Sequence, residues 1–322
     1  MKKRCALFPV LAMVLLILDS RTASVAAAEG IELVLRAALP SLFPFFVLSA
    51  MLVPYSSLFS LPALSALLGI PNGWETVFLL GCIGGYPVGA QCVAQGYSAG
   101  QLQKQDAERM LGFCTNCGPS FLFGIVASAF SGLGDPIAIF LIGIFSSILT
   151  AAFWPGQSQN TCLKPSIRPV SLPQAIQMGL KSMASVSAWI ILGKIFLAFL
   201  DKYLLHFLPS PMNLTLKGLL ELTNGCLLLG EFPEKARLVT ACCFTTFGGI
   251  CVWMQVKSLC AKAGLDAKNY LPQKLTQSTI AASLAVVYIS FGLAAPCICT
   301  GIMLLSKKTV EISKSMMYNS GS

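Results

Sequence analysis

The chain has 322 residues, of which 55% are hydrophobic and only 11% are charged, and its mean hydropathy is +0.75. A soluble domain carries about twice that fraction of charged residues, so the composition excludes an ordinary soluble protein. It predicts an all-α polytopic membrane protein in contact with the lipid bilayer. The net charge of +9 does not indicate a nucleic-acid partner, because the basic residues are spread over loops and helix ends and do not cluster with aromatic side chains.

The cysteines and the single histidine give no sign of a metal site, a cofactor or an active site. The thirteen cysteines lie in apolar segments, where a free thiol behaves as a small hydrophobic side chain. Cys114 and Cys117 form a CxxC pair, but no second pair and no nearby histidine completes the four ligands of a structural zinc site. His206 is the only histidine and no HExxH motif is present, so no enzyme is predicted.

Residues 1–28 fit two descriptions. The basic residues 2–4, the apolar run 5–18 and the alanines 26–28 have the order of a signal peptide with a cleavage site. The same residues also fit an uncleaved first helix whose basic end lies in the cytoplasm. We favour the N-terminal membrane anchor, because polytopic proteins rarely need a cleaved signal.

Residues 29–154 are predicted to form a first repeat. Residues 30–53 are long enough to span a bilayer, with Pro40 and Pro44 interrupting them. Residues 58–70 are too short to span, which is typical of a re-entrant or interfacial segment.

The apolar segment 81–96 is interrupted at its centre by Gly84, Gly85, Tyr86 and Pro87. Proline removes a backbone donor, and glycine leaves the backbone without side-chain cover. Lipid penalises the freed polar groups, so such a break is tolerated only inside the protein or beside a watery cavity. Broken helices of this kind hold the binding sites of membrane carriers, which makes this break the first candidate site.

Residues 99–111 change in character, because charged and apolar side chains alternate along them. The pattern predicts an amphipathic helix on the membrane surface. Asp106, Glu108 and Arg109 are interpreted as part of its solvated face.

Residues 113–127 follow, with the sequence FCTNCGPSFLFGIVA. Asn116, Gly118 and Pro119 precede an apolar helix, and proline is tolerated in a first helical turn. Asn116 can simply cap that helix. Alternatively, a helix start at membrane depth offers free amides to a polar solute, and one geometry can serve both roles.

The second half begins after a polar linker, residues 155–173, whose two basic residues favour the cytoplasmic side. Residues 174–305 are predicted to form a second repeat, with helices at 175–200 and 276–305, and the polar tail 306–322 is placed in the cytoplasm.

A short apolar segment of the second half, residues 214–230, contains Glu221 and Asn224. A carboxylate in such a segment is costly and marks a candidate site. The alternative is that Glu221 faces water at the interface.

The two halves share a pattern. One constant offset places Gly84-Gly85 on Gly248-Gly249 and Gln91 on Gln255. This match predicts an internal duplication, as in repeat-built transporters, with the two glutamines as paired polar contributors.

Several linked motifs resemble the nucleoside-recognition, or Gate, domain family over residues 36–283, and within it the sporulation integral membrane protein YlbJ group. That group is expected to carry a GYPxGA break, an FCNNxGP-like helix start, and an ExTNG element before a GG-containing helix and a glutamine. In this chain the motifs are GYPVGA at 85–90, FCTNCGP at 113–119, ELTNG at 221–225, Gly248-Gly249 and Gln255. Thr115 and Cys117 replace the usual polar pair, so no contact is assigned to those two side chains.

The resemblance implies a transporter-like fold of two pseudo-repeats with broken or re-entrant helices and a role in spore envelope or cortex formation. It does not identify nucleosides as the substrate, because fold alone does not give function. We therefore expect a multi-pass protein of the cell (inner) membrane that binds or translocates a small polar solute. A non-transporting scaffold for spore envelope assembly is the alternative, and the sequence leaves a homo-oligomer open.

The candidate solute site combines the two breaks with the polar residues near them. Glu221 is in addition the candidate carrier of a coupling proton or sodium ion. The predicted site residues are Gly84, Gly85, Tyr86, Pro87, Gln91, Asn116, Gly118, Pro119, Glu221, Asn224 and Gln255.

Overall fold

The computed structural model describes residues 2–58, 60–132, 134–156 and 169–319. Within these ranges every regular element is a helix. The central part of the predicted linker, residues 157–168, and the last residues of the predicted tail, 320–322, lie outside the described residues.

The α-helices are numbered in chain order. Those of the first half are α1 (Lys2–Leu18), α2 (Ser20–Leu33), α3 (Leu39–Leu52), α4 (Pro62–Leu68), α5 (Glu75–Gly84), α6 (Val88–Ser98), α7 (Lys104–Cys114), α8 (Pro119–Gly124) and α9 (Gly134–Phe153). Those of the second half are α10 (Leu172–Tyr203), α11 (Ser210–Leu220), α12 (Leu222–Leu227), α13 (Glu234–Phe247), α14 (Gly249–Ala263), α15 (Tyr270–Phe291) and α16 (Ala294–Asn319). Short 3₁₀ helices are Val53–Leu58, Val126–Ala129, Leu205–Phe207 and Leu229–Glu231.

Four helical segments of the described chain are long and apolar enough to cross a membrane: Ser20–Ser56, Gly134–Phe153, Leu172–Tyr203 and Glu234–Ala263. The first continues from α2 into α3, and the fourth continues from α13 into α14. The apolar spans predicted near residues 30–53, 137–154 and 175–200 are confirmed as long helices.

The junction of α2 and α3 is a π-helical turn, Val34–Ala38. Pro40 follows it in the first turn of α3. Because proline has no N–H group, it cannot donate to the carbonyl of Arg36 four residues earlier. The π-helical turn therefore lies where the α-helical hydrogen-bond pattern is interrupted. π-bulges of this kind are single wide turns inside longer helices.

The helix pair α2–α3 packs against α10 along its length, and the two run in opposite directions. Asp19 pairs with Lys202 at 2.6 Å at one end, whereas Gly179 lies against Val47 towards the other. The Lys202 ammonium holds the pKa of the Asp19 carboxyl well below its ordinary value. We call the end with this pair the Asp19 end.

The opposite end, here called the Trp154 end, is held together by Arg109 of α7. The guanidinium donates hydrogen bonds to the carbonyl oxygens of Leu68, Gly69, Ala151 and Trp154. These carbonyls belong to the C-terminal ends of α4 and α9, where backbone acceptors lack partners inside their own helices. One buried side chain therefore joins three helices.

The prediction of a surface helix with solvated charges at residues 99–111 is wrong in this respect. Asp106 and Arg109 are each only 8% exposed, and most of α7 is buried. The alternating pattern was interpreted as a helix with one solvent-exposed charged face. Instead, the guanidinium group of Arg109 is buried, and backbone carbonyls inside the protein accept its hydrogen bonds. Lys104 remains at the surface.

The last predicted helix, residues 276–305, is also divided. Helix α15 ends at Phe291, and Gly292 adopts a φ of 78°. A positive φ is the usual conformation of the glycine that ends a helix. The chain then turns and begins α16, which packs back against α15.

Two pairs of short helices form hairpins that enter the fold from opposite ends. Helices α5 and α6 pack against each other, and Gln95 near the end of α6 donates to the carbonyl of Ala50 at the end of α3. Helices α11 and α12 also pack against each other, and Lys217 of α11 pairs with Asp201 of α10 at 2.8 Å, close to the Asp19 end.

The two remaining interrupted helices, α7–α8 and α13–α14, each run from one end to the other. Helix α7 begins at the Trp154 end, and the 3₁₀ helix after α8 reaches Arg237 through the carbonyl of Ala129. Arg237 belongs to the first turns of α13, so α13 begins where the α7–α8 helix ends. Helix α14 ends close to Asp266, whose N–H donates to Glu108 of α7, at the Trp154 end. The turns of both hairpins and the interruptions of both helices consequently meet in the middle of the fold.

Candidate functional site

The first predicted break is the turn of the α5–α6 hairpin. Helix α5 ends at Gly84, and Gly85 has a φ of 78°, which glycine adopts without strain. The Tyr86-Pro87 peptide bond is cis. Helix α6 begins directly afterwards at Val88.

The hairpin closes around the last carbonyl of α7. A Cβ atom placed on either Gly81 or Gly89 would lie 1.7 Å from the carbonyl oxygen of Cys114. No side chain larger than hydrogen fits at either position. This close approach brings the end of α7 into the hairpin.

The α7–α8 interruption lies beside this turn. Residues 115–118 are not helical, and α8 starts at Pro119. A Cβ atom on Gly118 would meet Gly85 at 2.9 Å, so the two backbones are in direct contact. The predicted Asn116-Gly118-Pro119 helix start and the predicted GGYP break therefore form one structure.

The α13–α14 interruption is tied to the same turn by Tyr86. Its hydroxyl donates to the carbonyl oxygens of Thr245 at 2.9 Å and Thr246 at 3.0 Å. Both carbonyls lie in the last turn of α13, before Gly248 with a φ of 82°. Tyr86 of the first break therefore donates to carbonyls at the end of α13, which have no partner inside their own helix because α13 ends at the second break.

The α11–α12 hairpin turns at Glu221, whose carboxylate caps α12. Its Oε1 accepts from the N–H of Thr223 at 3.1 Å, and its Oε2 accepts from the N–H of Asn224 at 2.8 Å. A side-chain oxygen in this position satisfies amides that a helix start leaves free. Glu221 is only 5% exposed, so it does not face water at an interface.

A cavity of about 500 Å³ is lined by three of these interruptions, those of α5–α6, α7–α8 and α11–α12, and by Val252 and Gln255 of α14. Ala38, the middle residue of the Ser20–Ser56 span, and Val186, near the middle of α10, also line it. The cavity is therefore halfway along the two longest apolar helices of the described chain. The predicted site residues that line it are Gly84, Gly85, Tyr86, Gly118, Glu221 and Gln255.

The other predicted site residues lie outside the lining. Gln91 is 6% exposed, and neither its Nε2 nor its Oε1 atom has a hydrogen-bond partner among the described residues. Asn224 accepts from the ammonium of Lys194, and Asn116 belongs to a buried polar network described below. Pro87 and Pro119 shape the two turns.

The two glycine pairs matched by the constant offset lie in different structural contexts. Gly84-Gly85 lies in a hairpin turn, whereas Gly248-Gly249 lies in a helix that continues to the opposite end. Gly249 packs against the turn of the other hairpin, since its Cβ atom would lie 3.2 Å from the N–H nitrogen of Leu222. Only Gln255 of the two paired glutamines reaches the cavity.

A buried polar network behind Tyr86 contains a residue that the sequence interpretation missed, Lys274 of α15. Its ammonium donates to the carbonyl of Thr115 at 2.6 Å and to Oε1 of Gln277 at 2.6 Å. The Gln277 amide donates to Oδ1 of Asn116 at 3.0 Å, and Ser147 donates to the same oxygen at 2.9 Å. The signal in the sequence was the spacing of Gln273, Lys274 and Gln277, which places three polar side chains on one helix face.

One catalytic pattern in the sequence lacks its structural context. Residues 96–100, GYSAG, have the letters of a GxSxG nucleophile motif. That motif works at a sharp turn between a strand and a helix, whereas Ser98 is the last residue of α6 and the described residues contain no strand.

The chain is similar to the sporulation integral membrane protein YlbJ of Bacillus subtilis (strain 168). The two are 23% identical over an alignment of 308 residues, and the match covers 80% of this chain and 75% of the relative. No family model matches the chain, and no solved structure matches it. The predicted likeness to the YlbJ group is therefore confirmed by this relative, and the apolar helices agree with a membrane protein.

Proposed function

We propose that this relative of a sporulation integral membrane protein is a multi-pass protein of the cell (inner) membrane that binds or translocates a small polar solute. The central cavity carries the proposal. Its volume of about 500 Å³ falls within the roughly 300–1,000 Å³ of small-molecule sites. Three of the helix interruptions line it, those of α5–α6, α7–α8 and α11–α12, and carriers place their solutes at such interruptions.

The order of elements supports two repeats of opposite orientation. The first consists of α3, the α5–α6 hairpin, the interrupted helix α7–α8, and α9. The second consists of α10, the α11–α12 hairpin, the interrupted helix α13–α14, and α15. Because each set contains three elements that run from end to end, an odd number, the second set is inverted relative to the first; in the first set α3 counts together with α2, as the continuous Ser20–Ser56 span. In this arrangement Gly85 corresponds to Glu221, and the α7–α8 interruption corresponds to Gly248.

The polar groups of the cavity suit a neutral polar solute. The Gln255 side chain is 5% exposed and lines the cavity, and its amide makes no hydrogen bond to another described residue, so it is free to bind. Glu221 adds a carboxylate to the lining, and Arg36, which also borders the cavity, is 81% exposed and paired with Glu32. Both carboxylate oxygens of Glu221 accept backbone amides, so its role is to orient the hairpin turn, and no coupling ion is assigned to it.

The hydrogen bonds of Tyr86 supply a contact that can change during transport. They join the first hairpin to the second repeat, through Thr245 and Thr246. Rocking of one repeat against the other would exchange these bonds for bonds to solute or water. The relative's name supports a role in sporulation, and within that role we propose spore envelope or cortex formation.

Ligand-induced thermal stabilisation of the purified protein in detergent tests the proposal. The probes are uridine, adenosine and inosine, followed by a panel of small polar metabolites. A ligand at about a hundred times its Kd is expected to raise the Tm by roughly 3–5 °C. The effect should be lost in Gln255→Ala, which removes a cavity amide.

Gln95→Ala is the matched control, because Gln95 is a glutamine whose Nε2 donates to the carbonyl of Ala50, outside the cavity lining. It should retain the ligand response of the wild type. If no probe shifts the Tm, or if a shift survives unchanged in Gln255→Ala, the cavity is not the solute site.

A further inference from the structure

Lys274 is a fully buried lysine in a protein of this apolar character. Its side chain is 0% exposed, as is that of Gln277, and Gln273 is 1% exposed. These residues form a polar stripe on the inward face of α15. Taking an ammonium group out of water costs several kcal/mol unless its donors are satisfied, so this position has a specific reason to be charged or strongly polar.

The ammonium is surrounded by oxygen atoms and a ring. It donates to the carbonyl of Thr115, which is free because α7 has ended at Cys114, and to Oε1 of Gln277. It also lies 5.2 Å from the centroid of the Tyr86 ring. An aromatic face within about 6 Å attracts a cation.

Among the residues that the structure describes, no carboxylate neutralises Lys274. The ion pairs of the described residues are Arg36–Glu32, Lys104–Glu108, Lys202–Asp19, Lys217–Asp201 and Lys268–Asp266, and none involves this lysine. The titratable groups nearest to it are Tyr86 and the buried thiols of Cys82, Cys114 and Cys117. The ammonium is therefore surrounded by neutral oxygen acceptors, as a bound cation is, and not by the carboxylate of a salt bridge.

We propose that the α7–α8 interruption is a monovalent-cation site that the chain fills with its own Lys274 ammonium. The ammonium binds the carbonyl freed by the interruption and contacts Tyr86, the residue that joins the first hairpin to α13. Closure of the hairpin around the cavity therefore requires no metal cation from solution.

This inference deepens the proposed function, because Tyr86 and Cys117 line the solute cavity on their other side. It identifies the positive charge next to the solute as part of the protein. The test below uses no solute, so its failure and the failure of solute binding are separate results.

The experiment measures the Tm of purified protein in detergent in sodium chloride, choline chloride and propylammonium chloride at equal ionic strength. Wild type should have the same Tm in all three salts. Lys274→Ala should unfold at a lower temperature in choline chloride, because the carbonyl and amide oxygens lose their donor. Propylammonium has the three carbons and the ammonium that this substitution removes, and sodium is a smaller cation, so one or both should restore roughly 3–5 °C.

Two variants control for space and for charge. Lys274→Met fills the same volume without a charge and should be destabilised but should not respond to any of the three salts. Lys194→Ala removes another lysine from an apolar helix, one that donates to an amide oxygen of Asn224, and should not acquire a cation response.

A saturable, sodium-specific rise in the wild-type Tm would overturn the proposal, because the site would then take its cation from solution. A folded Lys274→Ala protein that responds to neither cation would overturn it as well. If Lys274→Ala does not accumulate, the wild-type comparison and Lys274→Met still decide, since a Lys274→Met protein as stable as wild type shows that the ammonium is dispensable.

Discussion

At the scale of single residues, Tyr86 connects the two interruptions that the sequence pattern identified separately. The GGYP motif predicted that the helix breaks here and that the freed groups lie inside the protein. It did not predict that the tyrosine hydroxyl satisfies Thr245 and Thr246, more than 150 residues away. Such a partner depends on how two distant segments pack, which a local pattern does not contain.

Tyr86→Phe is expected to destabilise the protein by about 1–3 kcal/mol, because the buried carbonyls of Thr245 and Thr246 lose the hydroxyl donor that they share. The fall in Tm in detergent measures the effect. Tyr97→Phe, which removes the same hydroxyl from α6 at a distance from the interruptions, should change the Tm by much less. An equal fall in Tm in the two variants would show that the hydrogen bonds from Tyr86 to α13 contribute nothing specific to stability.

Lys274 shows why part of the candidate site was missed from the sequence. Its helix carries Gln273, Lys274 and Gln277, and polar side chains usually indicate a solvated face. In this protein the stripe faces inward, where the end of α7 presents a free carbonyl. The spacing was visible, but the acceptor that makes burial tolerable was not.

At the scale of elements, the sequence predicted where the helices break but not how the chain continues after each break. Gly85 and Gly248 both have a positive φ, yet one lies in a hairpin and the other in a helix that continues forward. The difference comes from packing, since α5 and α6 close around the Cys114 carbonyl. Local glycine content is similar in both segments, so a constant offset paired them.

Gly81→Ala is expected to prevent assembly of the α5–α6 hairpin, because its methyl group would lie 1.7 Å from the Cys114 oxygen. Backbone on both sides leaves no flexible side chain to move away, so a loss above roughly 3 kcal/mol is expected. The measurement is the amount of monodisperse protein recovered from membranes.

Gly143→Ala is the matched control, since a Cβ atom there meets nothing within 4 Å and alanine favours a helix. It should accumulate as well as wild type or better. Normal recovery of Gly81→Ala would contradict the described contact between the hairpin and α7.

At the scale of the whole molecule, the composition was sufficient to predict an all-helical membrane protein. The long apolar runs were sufficient to predict its main helices. The orientation of the two proposed repeats was not accessible from the sequence, because short segments such as α5, α6, α11 and α12 have the same apolar character whether they cross or turn back. The structure distinguishes them by the contacts at their ends, with Gln95 near Ala50 and Lys217 near Asp201.

Reporter insertions test the proposed topology. Insertions at residues 70–74, 99–103 and 155–173 should all report the cytoplasm, because the α5–α6 hairpin does not cross and α7–α8 with α9 cross twice. Insertions at residues 130–132 and 208–209 should report the opposite side. Green fluorescent protein marks the cytoplasmic positions, and alkaline phosphatase marks the others. Different sides for 70–74 and 99–103 would mean that α5–α6 spans the membrane.

The most direct test of the central cavity as the functional site is the number of heat-resistant spores in the host organism after deletion of the gene. The deletion strain is complemented with wild type, Gln255→Ala or the control Gln95→Ala, and immunoblots confirm equal protein amounts. We expect Gln255→Ala to leave spore numbers close to those of the deletion, and Gln95→Ala to restore them. Full restoration by Gln255→Ala at normal abundance would contradict a solute site in the cavity and favour a scaffold for spore envelope assembly.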